Sequence, residues 1–540
     1  FLFLVLALVS QAQQAQPTEP VDPKKLATIE GSVFNSATGE ALRKVSLTLR
    51  QSFSGAMSGG MPPAQSTYAA TTDAEGKFRI ERVETGSYIL SADRQGFVRQ
   101  QYSQRQPSTV GATLTLSAGQ HMKELNFKLA PHAVITGHVF DEDGEPLMRS
   151  RIQVLRVSRM RGKRQLMPVG GGETNDLGEF RVHSLPPGRY FVNAMPPNRG
   201  QMYGEPAPKN AATEEYITTF YPAALDEASA RPIELTSGQN LAAVDIRVKK
   251  SPVFHIRGRV SGGPGAGRGM RVQAMPRQQQ MGFMFGPGGN VQPDGSFDLP
   301  SQPPGSYDVL VMSNQGMIRT LGRAQVEISR EDINGLNIAA VDGVAVKGKL
   351  RVDGDIQSLE QKLGRKLALN SSRIMLQAME GINFNNANAM ANDEGLFTIE
   401  NAGPEKYRVI VSGLPPGLWL KAVSVGGHDV IDTGLDLTSG ASEPVELVLG
   451  VGTGNLSGVV QDSKQQPAPG AIVTLFPEPF KEDRFETLRT VPSDQLGNFK
   501  LTNVTPGTYK IYAWEAFDYN TPTDPEFLKT YETRAKLIKT

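Results

Sequence analysis

The stretch Asp73-Ala-Glu-Gly-Lys-Phe78, followed ten residues later by Tyr88, recurs along this chain and decides how the rest is interpreted. Each copy has a Gly two residues before a Phe and a Tyr ten residues after it. The further copies are Asn175-Asp-Leu-Gly-Glu-Phe180 with Tyr190, Gln292-Pro-Asp-Gly-Ser-Phe297 with Tyr307, Asn392-Asp-Glu-Gly-Leu-Phe397 with Tyr407, and Asp494-Gln-Leu-Gly-Asn-Phe499 with Tyr509. The glycines are 102, 117, 100 and 102 residues apart. This spacing predicts a tandem array of five related modules.

Each copy has the chemistry of a β-hairpin. The polar residue and the glycine favour a tight turn, since the polar side chain bonds nearby backbone and glycine accepts a positive φ. The next residues alternate apolar and polar, as in Phe180-x-Val182, which indicates a strand with one buried face. A Pro-Gly turn such as Pro186-Pro-Gly188 follows, and a second alternating strand begins at Tyr190.

An opening strand, a second strand and a closing hairpin surround each β-hairpin. About seven short strands per ~100 residues predict an all-β fold, a tandem array of seven-stranded antiparallel sandwiches of Ig-like or prealbumin-like type. Short linkers between the sandwiches favour an extended, semi-rigid rod, roughly 150–200 Å long. The predicted sandwiches, named modules 1 to 5 below, span residues 28–130, 131–250, 251–342, 343–452 and 453–540.

Two modules depart from the common plan. Leucines 359, 363 and 367 of module 4 have helical spacing, which predicts a short amphipathic helix over 358–368. Module 5 ends where module 1 still has a closing strand to come. We therefore expect module 5 to be truncated at its C-terminus, with one sheet edge left unpaired.

The phrase Asp-x-x-Gly-x-Phe, followed by Pro-x-Gly-x-Tyr, resembles carboxypeptidase regulatory-like domains. The resemblance covers residues from about Ile29 to Thr540 and implies a transthyretin-like, prealbumin fold related to carbohydrate-binding-like sandwiches. Such domains are non-catalytic attachments to carboxypeptidases and outer-membrane receptors, or tandem arrays in exported bacterial proteins. The motifs specify the fold and say little about activity.

Composition and the first residues indicate an exported chain. Residues 1–12 form a short apolar run that ends in Ser10-Gln11-Ala12, typical of the back half of a secretory signal, and 13–27 form a linker. We expect a secreted location, extracellular, at the cell surface or periplasmic, and no transmembrane segment in the mature chain. The 56 Lys+Arg balance 55 Asp+Glu, which argues against nucleic acid as a partner, and the absence of cysteine excludes disulfides.

The sequence predicts no catalytic residues, no cofactor and no metal. His121-Met-Lys-Glu124 has the His-x-x-Glu spacing of zinc carboxypeptidases but is predicted to lie in a hairpin turn. The carboxylates of Asp141-Glu-Asp-Gly-Glu145 could bind calcium, although they lack the spacing of a calcium loop and match a hairpin turn in module 1.

Two groups of residues are candidates for ligand contact. Aromatic side chains suited to sugar stacking occur in the module 2 insert and near the end of module 5: Tyr203, Tyr216, Phe220, Tyr221, Tyr512, Trp514 and Tyr519. The alternative is that these rings pack over the end of a sandwich. A basic run could meet an anionic partner or form a solvated loop; its residues include Arg156, Arg159, Arg161, Lys163 and Arg164.

The sequence therefore favours a non-catalytic exported scaffold or binding protein, with carbohydrate or cell-envelope glycan as the preferred ligand class. One alternative is a structural stalk or fibre subunit that associates with protein partners or with itself through a sheet edge. Another is the regulatory part of a larger enzyme or outer-membrane receptor.

Overall fold

The computed structural model describes residues 25–52, 66–106, 109–160, 163–197, 213–262, 269–277, 288–313, 320–341, 343–379, 387–439, 443–481, 484, 487–515 and 525–540. The predicted signal remnant at 1–12 and most of the linker at 13–27 lie outside these residues. The described chain is almost entirely β-strand, arranged as sheets packed face to face, so the all-β sandwich class is confirmed.

Within the described residues, strands follow one another in every module, and two short α-helices interrupt them. Module 1 contains β1 (Ala27–Asn35), β2 (Ser46–Gln51), β3 (Thr67–Thr71), β4 (Lys77–Val83), β5 (Gly86–Asp93), β6 (Gln100–Gln101), β7 (Leu114–Leu116), β8 (His121–Met122) and β9 (Phe127–Leu129). Module 2 contains β10 (Ala133–Phe140), β11 (Arg151–Met160), β12 (Lys163–Glu173), β13 (Glu179–Leu185), β14 (Gly188–Met195), β15 (Thr213–Ile217), β16 (Thr219–Phe220), β17 (Ile233–Leu235), β18 (Asn240–Leu241) and β19 (Ile246–Arg247).

The same plan continues through the second half of the chain. Module 3 contains β20 (Lys249–Gly262), β21 (Met270–Pro276), β22 (Gly288–Asn290), β23 (Ser296–Gln302), β24 (Gly305–Ser313), β25 (Thr320–Ile328) and β26 (Ile333–Ala340). Module 4 contains β27 (Val344–Asp353), α1 (Ile356–Leu363), β28 (Arg373–Ala378), β29 (Asn388–Met390), β30 (Leu396–Ala402), β31 (Lys406–Ser412), β32 (Leu418–Val425), β33 (His428–Asp429), β34 (Leu435–Asp436) and β35 (Val445–Val451). Module 5 contains β36 (Gly454–Val459), β37 (Ile472–Pro477), β38 (Arg489–Pro492), β39 (Asn498–Val504), β40 (Thr508–Trp514), α2 (Pro525–Tyr531) and β41 (Lys536–Lys539).

The closing strands differ from the prediction of an antiparallel closing hairpin. In module 1, β7 pairs antiparallel with β5 in one sheet, whereas β9 pairs parallel with β1 in the other. The chain crosses from one sheet to the facing one between these strands, so the closing strand runs in the direction of the opening strand. The same parallel pairing joins β19 to β10, β26 to β20 and β35 to β27.

The repeated phrase forms the turn that its residues predict. In module 1 the side chain of Asp73 accepts hydrogen bonds from the backbone N–H groups of Glu75 and Lys77, at 3.1 and 2.8 Å. Gly76 adopts a φ of 74°, a left-handed conformation that favours glycine. Asn175 and Asp494 bond two N–H groups in the same way in modules 2 and 5.

The buried tyrosine of each copy stabilises the second turn through a hydrogen bond. Its hydroxyl donates to the backbone carbonyl four residues earlier. The five bonds join Tyr88 to Glu84, Tyr190 to Pro186, Tyr307 to Pro303, Tyr407 to Gly403 and Tyr509 to Thr505, at 2.6–3.1 Å. Burial raises the pKa of the Tyr88, Tyr190 and Tyr307 hydroxyls, so each stays protonated as a donor at neutral pH.

Replacing Tyr88 with Phe is expected to lower the free energy of unfolding by about 1 kcal/mol, because the Glu84 carbonyl loses its partner while the ring packing is kept. Tyr102→Phe is the control in the same module, since its hydroxyl makes no hydrogen bond to the described residues. Urea denaturation of both variants measures the difference. Equal losses would contradict the role given to the Tyr88 hydroxyl.

A separate apolar core lies between the two sheets of each of modules 1 to 4. In module 1 it contains Ile29, Leu47, Tyr88, Leu114 and Phe127, all with little or no exposed surface. Full burial of one such side chain contributes about 1.5–3 kcal/mol. The cores of modules 2, 3 and 4 repeat this arrangement.

The helix predicted at 358–368 is present as α1, Ile356–Leu363. Its first turn is capped by the Asp355 side chain, which accepts a hydrogen bond from the Ser358 N–H at 3.0 Å. Gly364 ends it with a φ of 65°. Leu359 is buried against the module 4 core, so the apolar face of the helix packs on the sandwich.

Contacts between modules differ from those of the predicted end-to-end rod. Modules 1 and 5 touch through residues that lie 366 to 380 positions apart in the chain. The Ser103 hydroxyl donates to the Pro469 carbonyl at 3.0 Å, and the Gln495 side chain bonds both the N–H and the carbonyl of Thr115, at 3.0 and 2.8 Å. An ion pair between Arg105 and Glu515 lies at the same contact. The chain therefore turns back on itself, and the rod is wrong.

Candidate functional site

The module 2 insert connects two modules. Its described part, β15, pairs antiparallel with the first half of β20, so that Tyr216 lies opposite Lys250. The Glu215 side chain also accepts a hydrogen bond from Ser301 of module 3, at 2.8 Å. The predicted boundary at 250/251 falls within β20, and the insert extends the module 3 sheet across that boundary.

Tyr216 is surrounded by charged groups at this junction. Lys250 lies 4.9 Å from the centre of the ring and pairs with the carboxylate of Glu142. The Tyr216 hydroxyl donates to Asp141 at 3.4 Å. Desolvation, together with the neighbouring Glu142 and Asp141 carboxylates, raises the pKa of Tyr216 to about 12. The ring is half-buried against the module 2 core, with one face covered by the Lys250 ammonium group.

The two neighbouring aromatic residues also pack within module 2. Phe220 is buried in β16 together with Leu155 and Phe191. Tyr221 is half-buried against the module core, its N–H bonds the Val192 carbonyl, and the Tyr221–Pro222 peptide is cis. The sequence left two alternatives open for these rings, ligand contact or packing on the sandwich. For Phe220 the structure favours packing.

Tyr512 and Trp514 lie in an apolar cluster of module 5. Their rings are stacked with centroids 5.2 Å apart and an interplanar angle of 18°. Helix α2 covers them through Phe527 and Tyr531, and Val110 of module 1 packs against the same cluster. Both rings are buried, which again favours packing over ligand contact. Tyr203 and Tyr519 lie outside the described residues.

The basic run lies on the hairpin of β11 and β12. Arg156 is half-buried, whereas Arg164 is exposed and forms an ion pair with Glu227. Arg159 and Lys163 belong to these strands by their backbone pairing. Arg161 lies outside the described residues. The structure thus places the run on one β-ribbon.

Both motifs that the sequence offers as metal ligands make contacts within the protein. Asp141 acts as a turn residue, since its carboxylate accepts hydrogen bonds from the N–H groups of Asp143 and Glu145, both at 2.9 Å. His121 pairs through Nε2 with the Glu30 carboxylate at 3.1 Å. Within the described residues there is no group of three or more His, Cys, Asp or Glu side chains placed to hold a metal ion.

A cleft of about 490 Å³ lies on the outer face of the module 2 sheet, a volume within the usual range of ligand pockets. His138 lines the cleft, with Nδ1 3.2 Å from Asp245 and Nε2 3.8 Å from Glu179. The His138 ring stacks on Phe140. The exposed Arg181 guanidinium also lines the cleft and has no hydrogen bond or ion pair with any described residue.

Sequence reasoning missed this cleft because its residues are spread over more than 100 positions. His138 is on β10, Glu179 and Arg181 are on β13, and Asp245 precedes β19. Polar residues at alternate strand positions are the usual pattern of an outer sheet face, so the pattern alone does not mark a site. The pairing of β10 with both neighbours brings them together.

Glu405 has a raised pKa, unlike the other described carboxylates whose pKa is shifted. It lies half-buried before β31, and desolvation raises its pKa to about 7, with partial compensation by the Arg323 guanidinium of module 3. The folded state therefore binds this proton more tightly than the unfolded state. Protonation of Glu405 therefore stabilises the folded state. This stabilisation is complete below about pH 4.5 and is lost as the pH rises through 7.

Glu405→Gln is expected to be more stable than the unchanged chain at pH 8 by about 2 kcal/mol, and equally stable at pH 4.5. This difference in free energy is smaller than the full equivalent of the pKa change, because part of the Glu405 side chain faces solvent. Urea denaturation of both proteins at the two pH values measures this, with the exposed Glu400→Gln as control. A stability difference that does not change with pH would contradict the prediction.

Comparison with known proteins gives one family match. Residues 28–130 match the model of the carboxypeptidase regulatory-like domain, which confirms the resemblance for module 1. No curated protein matches the chain. No helix within the described residues is long and apolar enough to cross a membrane.

Solved structures with similarity to the chain include a Bacillus anthracis protein and two pilins. The Bacillus anthracis TIE protein is 13% identical over 59% of this chain and 51% of its own, with a TM-score of 0.17. A Streptococcal ancillary pilin is 12% identical over 58% and 99%, with a TM-score of 0.20. The minor pilin GBS52 of Streptococcus agalactiae is 14% identical over 42% and 96%, with a TM-score of 0.23. The chain spans about half of the length of the Bacillus anthracis protein.

Proposed function

We propose that the chain is a non-catalytic exported scaffold that holds its five modules in a fixed arrangement at the cell surface or in the periplasm. The observation that carries the proposal is the contact of module 5 with module 1, made by Gln495, Ser103 and Arg105. A chain of independent binding domains needs no such contact. The strand β15, which belongs to the module 2 insert and pairs with β20 in the module 3 sheet, adds a second fixed connection.

Histidine side chains add contacts between neighbouring chain segments within the modules. Three of them lie within 3.2 Å of a carboxylate on outer sheet faces of modules 1 to 3. His121 pairs with Glu30, His138 with Asp245 and His255 with Asp298. Each pair joins neighbouring strands, so these groups have a structural use.

Distance measurements between spin labels test the scaffold. The chain has no cysteine, so labels can be placed at Glu75→Cys in module 1 and Lys464→Cys in module 5, both exposed turn positions. A narrow distance distribution is expected, and it should broaden when Gln495→Ala and Arg105→Ala remove the contact. A control pair, Glu75→Cys with Leu177→Cys, should keep its distribution. A broad distribution in the unchanged chain would overturn the proposal.

Carbohydrate binding is the second candidate, and the module 2 cleft favours it. Carboxylates, an imidazole and the Arg181 guanidinium offer both donors and acceptors to a hydroxyl-rich or acidic sugar. Tyr216 and Tyr221, with Tyr203 and Tyr519 outside the described residues, remain proposed contact residues. The basic residues Arg156 to Arg164 remain a proposed contact for an anionic glycan.

Binding to a panel of neutral and acidic polysaccharides tests this candidate. Saturable binding should be lost in Arg181→Ala with Glu179→Ala and retained in Arg189→Ala with Glu234→Ala, a matched exposed pair on the same module. Tyr216→Ala with Tyr221→Ala separately tests the aromatic contacts. If no glycan binds, or all variants bind equally, the carbohydrate proposal fails and the scaffold proposal is unaffected.

A further inference from the structure

The repeated fold provides an internal comparison for the module 2 cleft. In modules 1 and 2 the residue directly before the opening-strand glycine lies opposite an arginine of the first hairpin strand. These register pairs are Glu30 with Arg79 in module 1 and Thr136 with Arg181 in module 2. The two positions alternate with buried residues and therefore lie on the outer face of the sheet. Thr136 thus occupies the position at which module 1 has a carboxylate.

The carboxylate of module 1 lies between two basic side chains. Oε1 of Glu30 lies 2.6 Å from Nη1 of Arg79 and 3.1 Å from Nε2 of His121. The Nε of Arg79 pairs in addition with Glu81. Two carboxylates of the protein therefore neutralise the arginine of module 1.

Module 2 keeps the arginine and lacks both carboxylates. Thr136 replaces the first, and His183 lies at the position of the second. Arg181 is exposed and has no hydrogen bond or ion pair with any described residue. Module 3 exchanges the two charges and keeps the pair, because Arg257 lies opposite Asp298, with Nε 3.1 Å from the carboxylate. Module 2 thus presents a cation at a position where both flanking modules have an ion pair.

Small side chains open the space beside this cation. The closing segment of module 2 reaches the cleft as Ala242-Ala243, where module 1 has Lys123-Glu124. In both modules these residues directly precede the one whose N–H bonds a carbonyl of the opening strand, at 3.1 Å. Ala242 and Ala243 line the cleft together with Arg181. Methyl groups in place of two long charged side chains leave room for a ligand.

The carboxylates of the cleft already have donors. Glu179 accepts a hydrogen bond from the Asn175 amide at 2.8 Å, and Asp245 accepts one from the backbone N–H of His138 at 2.9 Å. Their remaining lone pairs can accept hydroxyl groups. Glu179 and Arg181 are two positions apart on β13, about 6.6 Å along the strand, a distance that one sugar ring can bridge. The cleft therefore offers a cation for one anionic group next to acceptors for hydroxyl groups.

We propose that the module 2 cleft binds a carboxylate-bearing sugar, a uronate unit of an acidic polysaccharide, whose carboxylate takes the place that Glu30 has in module 1. The planar guanidinium of Arg181 matches a carboxylate with two parallel hydrogen bonds. The sugar hydroxyls donate to Glu179 and Asp245. An acidic peptide fits less well, because it would bring further carboxylates against these two. The inference rests on the carbohydrate candidate and narrows it to one class of sugar.

A matched pair of ligands tests the class of sugar. Oligogalacturonate, and the same oligomer with its carboxyl groups methyl-esterified, are titrated into the full chain and followed by calorimetry. Saturable binding of the acid is expected, with at least tenfold weaker binding of the ester. Equal binding of both, lost in Glu179→Ala, would overturn this inference and leave the carbohydrate candidate standing. Tighter binding of an oligoglutamate peptide would also overturn it. Binding of neither sugar would do the same, and the polysaccharide panel then decides the carbohydrate candidate separately.

Substitutions at Thr136 test the position of the carboxylate. Thr136→Glu restores the side chain of module 1, which should pair with Arg181 and weaken oligogalacturonate binding at least tenfold. Thr136→Gln has the same size without the charge and should weaken binding much less. Equal losses in the two variants would contradict the inference, because filled space alone would then explain them. Thermal denaturation checks that both variants stay folded.

Substitution of the arginine tests the charge itself. Arg181→Gln should weaken binding of the acid at least tenfold and abolish the preference for acid over ester. Arg189→Ala, at an exposed arginine that pairs with Glu234 on the same module, should leave both unchanged. A variant at Arg181 that still prefers the acid would overturn the inference.

Discussion

Gly137→Ala is expected to lower the free energy of unfolding of module 2 by about 3 kcal/mol or more. The new methyl group would lie 2.1 Å from the carbonyl oxygen of Val244 and 2.5 Å from its carbon. Both atoms belong to the backbone of the closing segment, so no rotamer change relieves the clash. The parallel strand must move away from β10, and the buried residues beneath it become exposed.

Hydrogen exchange as a function of urea, measured on peptides from residues 131–250, reports the free energy of unfolding of module 2 alone. Comparison of the variant with the unchanged chain gives the loss of stability. The matched control is Gly458→Ala, where the same substitution meets only the ring of Phe499. Gly458→Ala should lower the free energy of unfolding by less, because the Phe499 side chain can shift by a few tenths of an ångström. Equal costs at the two glycines would contradict the view that the closing strand sets the requirement for glycine.

Trp514→Ala is expected to destabilise module 5 by about 3–5 kcal/mol, the usual cost of removing a buried aromatic side chain. Trp514 packs against Tyr512, Phe527 and Tyr531, with ring centroids 5.2–5.6 Å apart. Its removal leaves α2 without its main contact on the sheet. Hydrogen exchange in residues 525–540 should therefore rise more than in β37.

This prediction separates packing from ligand contact at Trp514. A side chain exposed for sugar stacking would cost less than about 1 kcal/mol when truncated, since surface substitutions rarely exceed that value. Tyr216→Ala is the comparison, because its ring is half-buried at the junction of modules 2 and 3. A loss near zero for Trp514→Ala would return Trp514 to the candidate ligand residues.

The sequence by itself determined the sandwich fold and the geometry of its repeated hairpins. These features depend on contacts between residues within about ten positions of one another. Asp73 bonds the N–H groups of its own turn, Gly76 takes the positive φ, and Tyr88 bonds a carbonyl four residues earlier. Local chemistry of this kind is readable from residue type and spacing. The helix α1 was predictable for the same reason, with an error of a few residues at its ends.

Some features at equivalent positions had no sequence signal. The fourth residue after the repeated Phe adopts a φ of 55–63° in every copy, although none is glycine: Arg82, Ser184, Ser301, Asn401 and Asn503. The pairing of the opening strand shifts register opposite this residue, so the sheet imposes the conformation. Residue type gave no indication, because the cause lies on another strand.

Only the tertiary structure decided which polar and aromatic residues meet. It buried Phe220, Tyr512 and Trp514, brought His138 to Asp245 across about 107 positions, and placed Gln495 on Thr115. It also ran the closing strands parallel to the opening strands. The physical reason is that these contacts depend on how strands from distant parts of the chain pair and on which face each sheet turns to its neighbour. Alternation along a strand fixes which residues share a face, but it does not fix what covers that face.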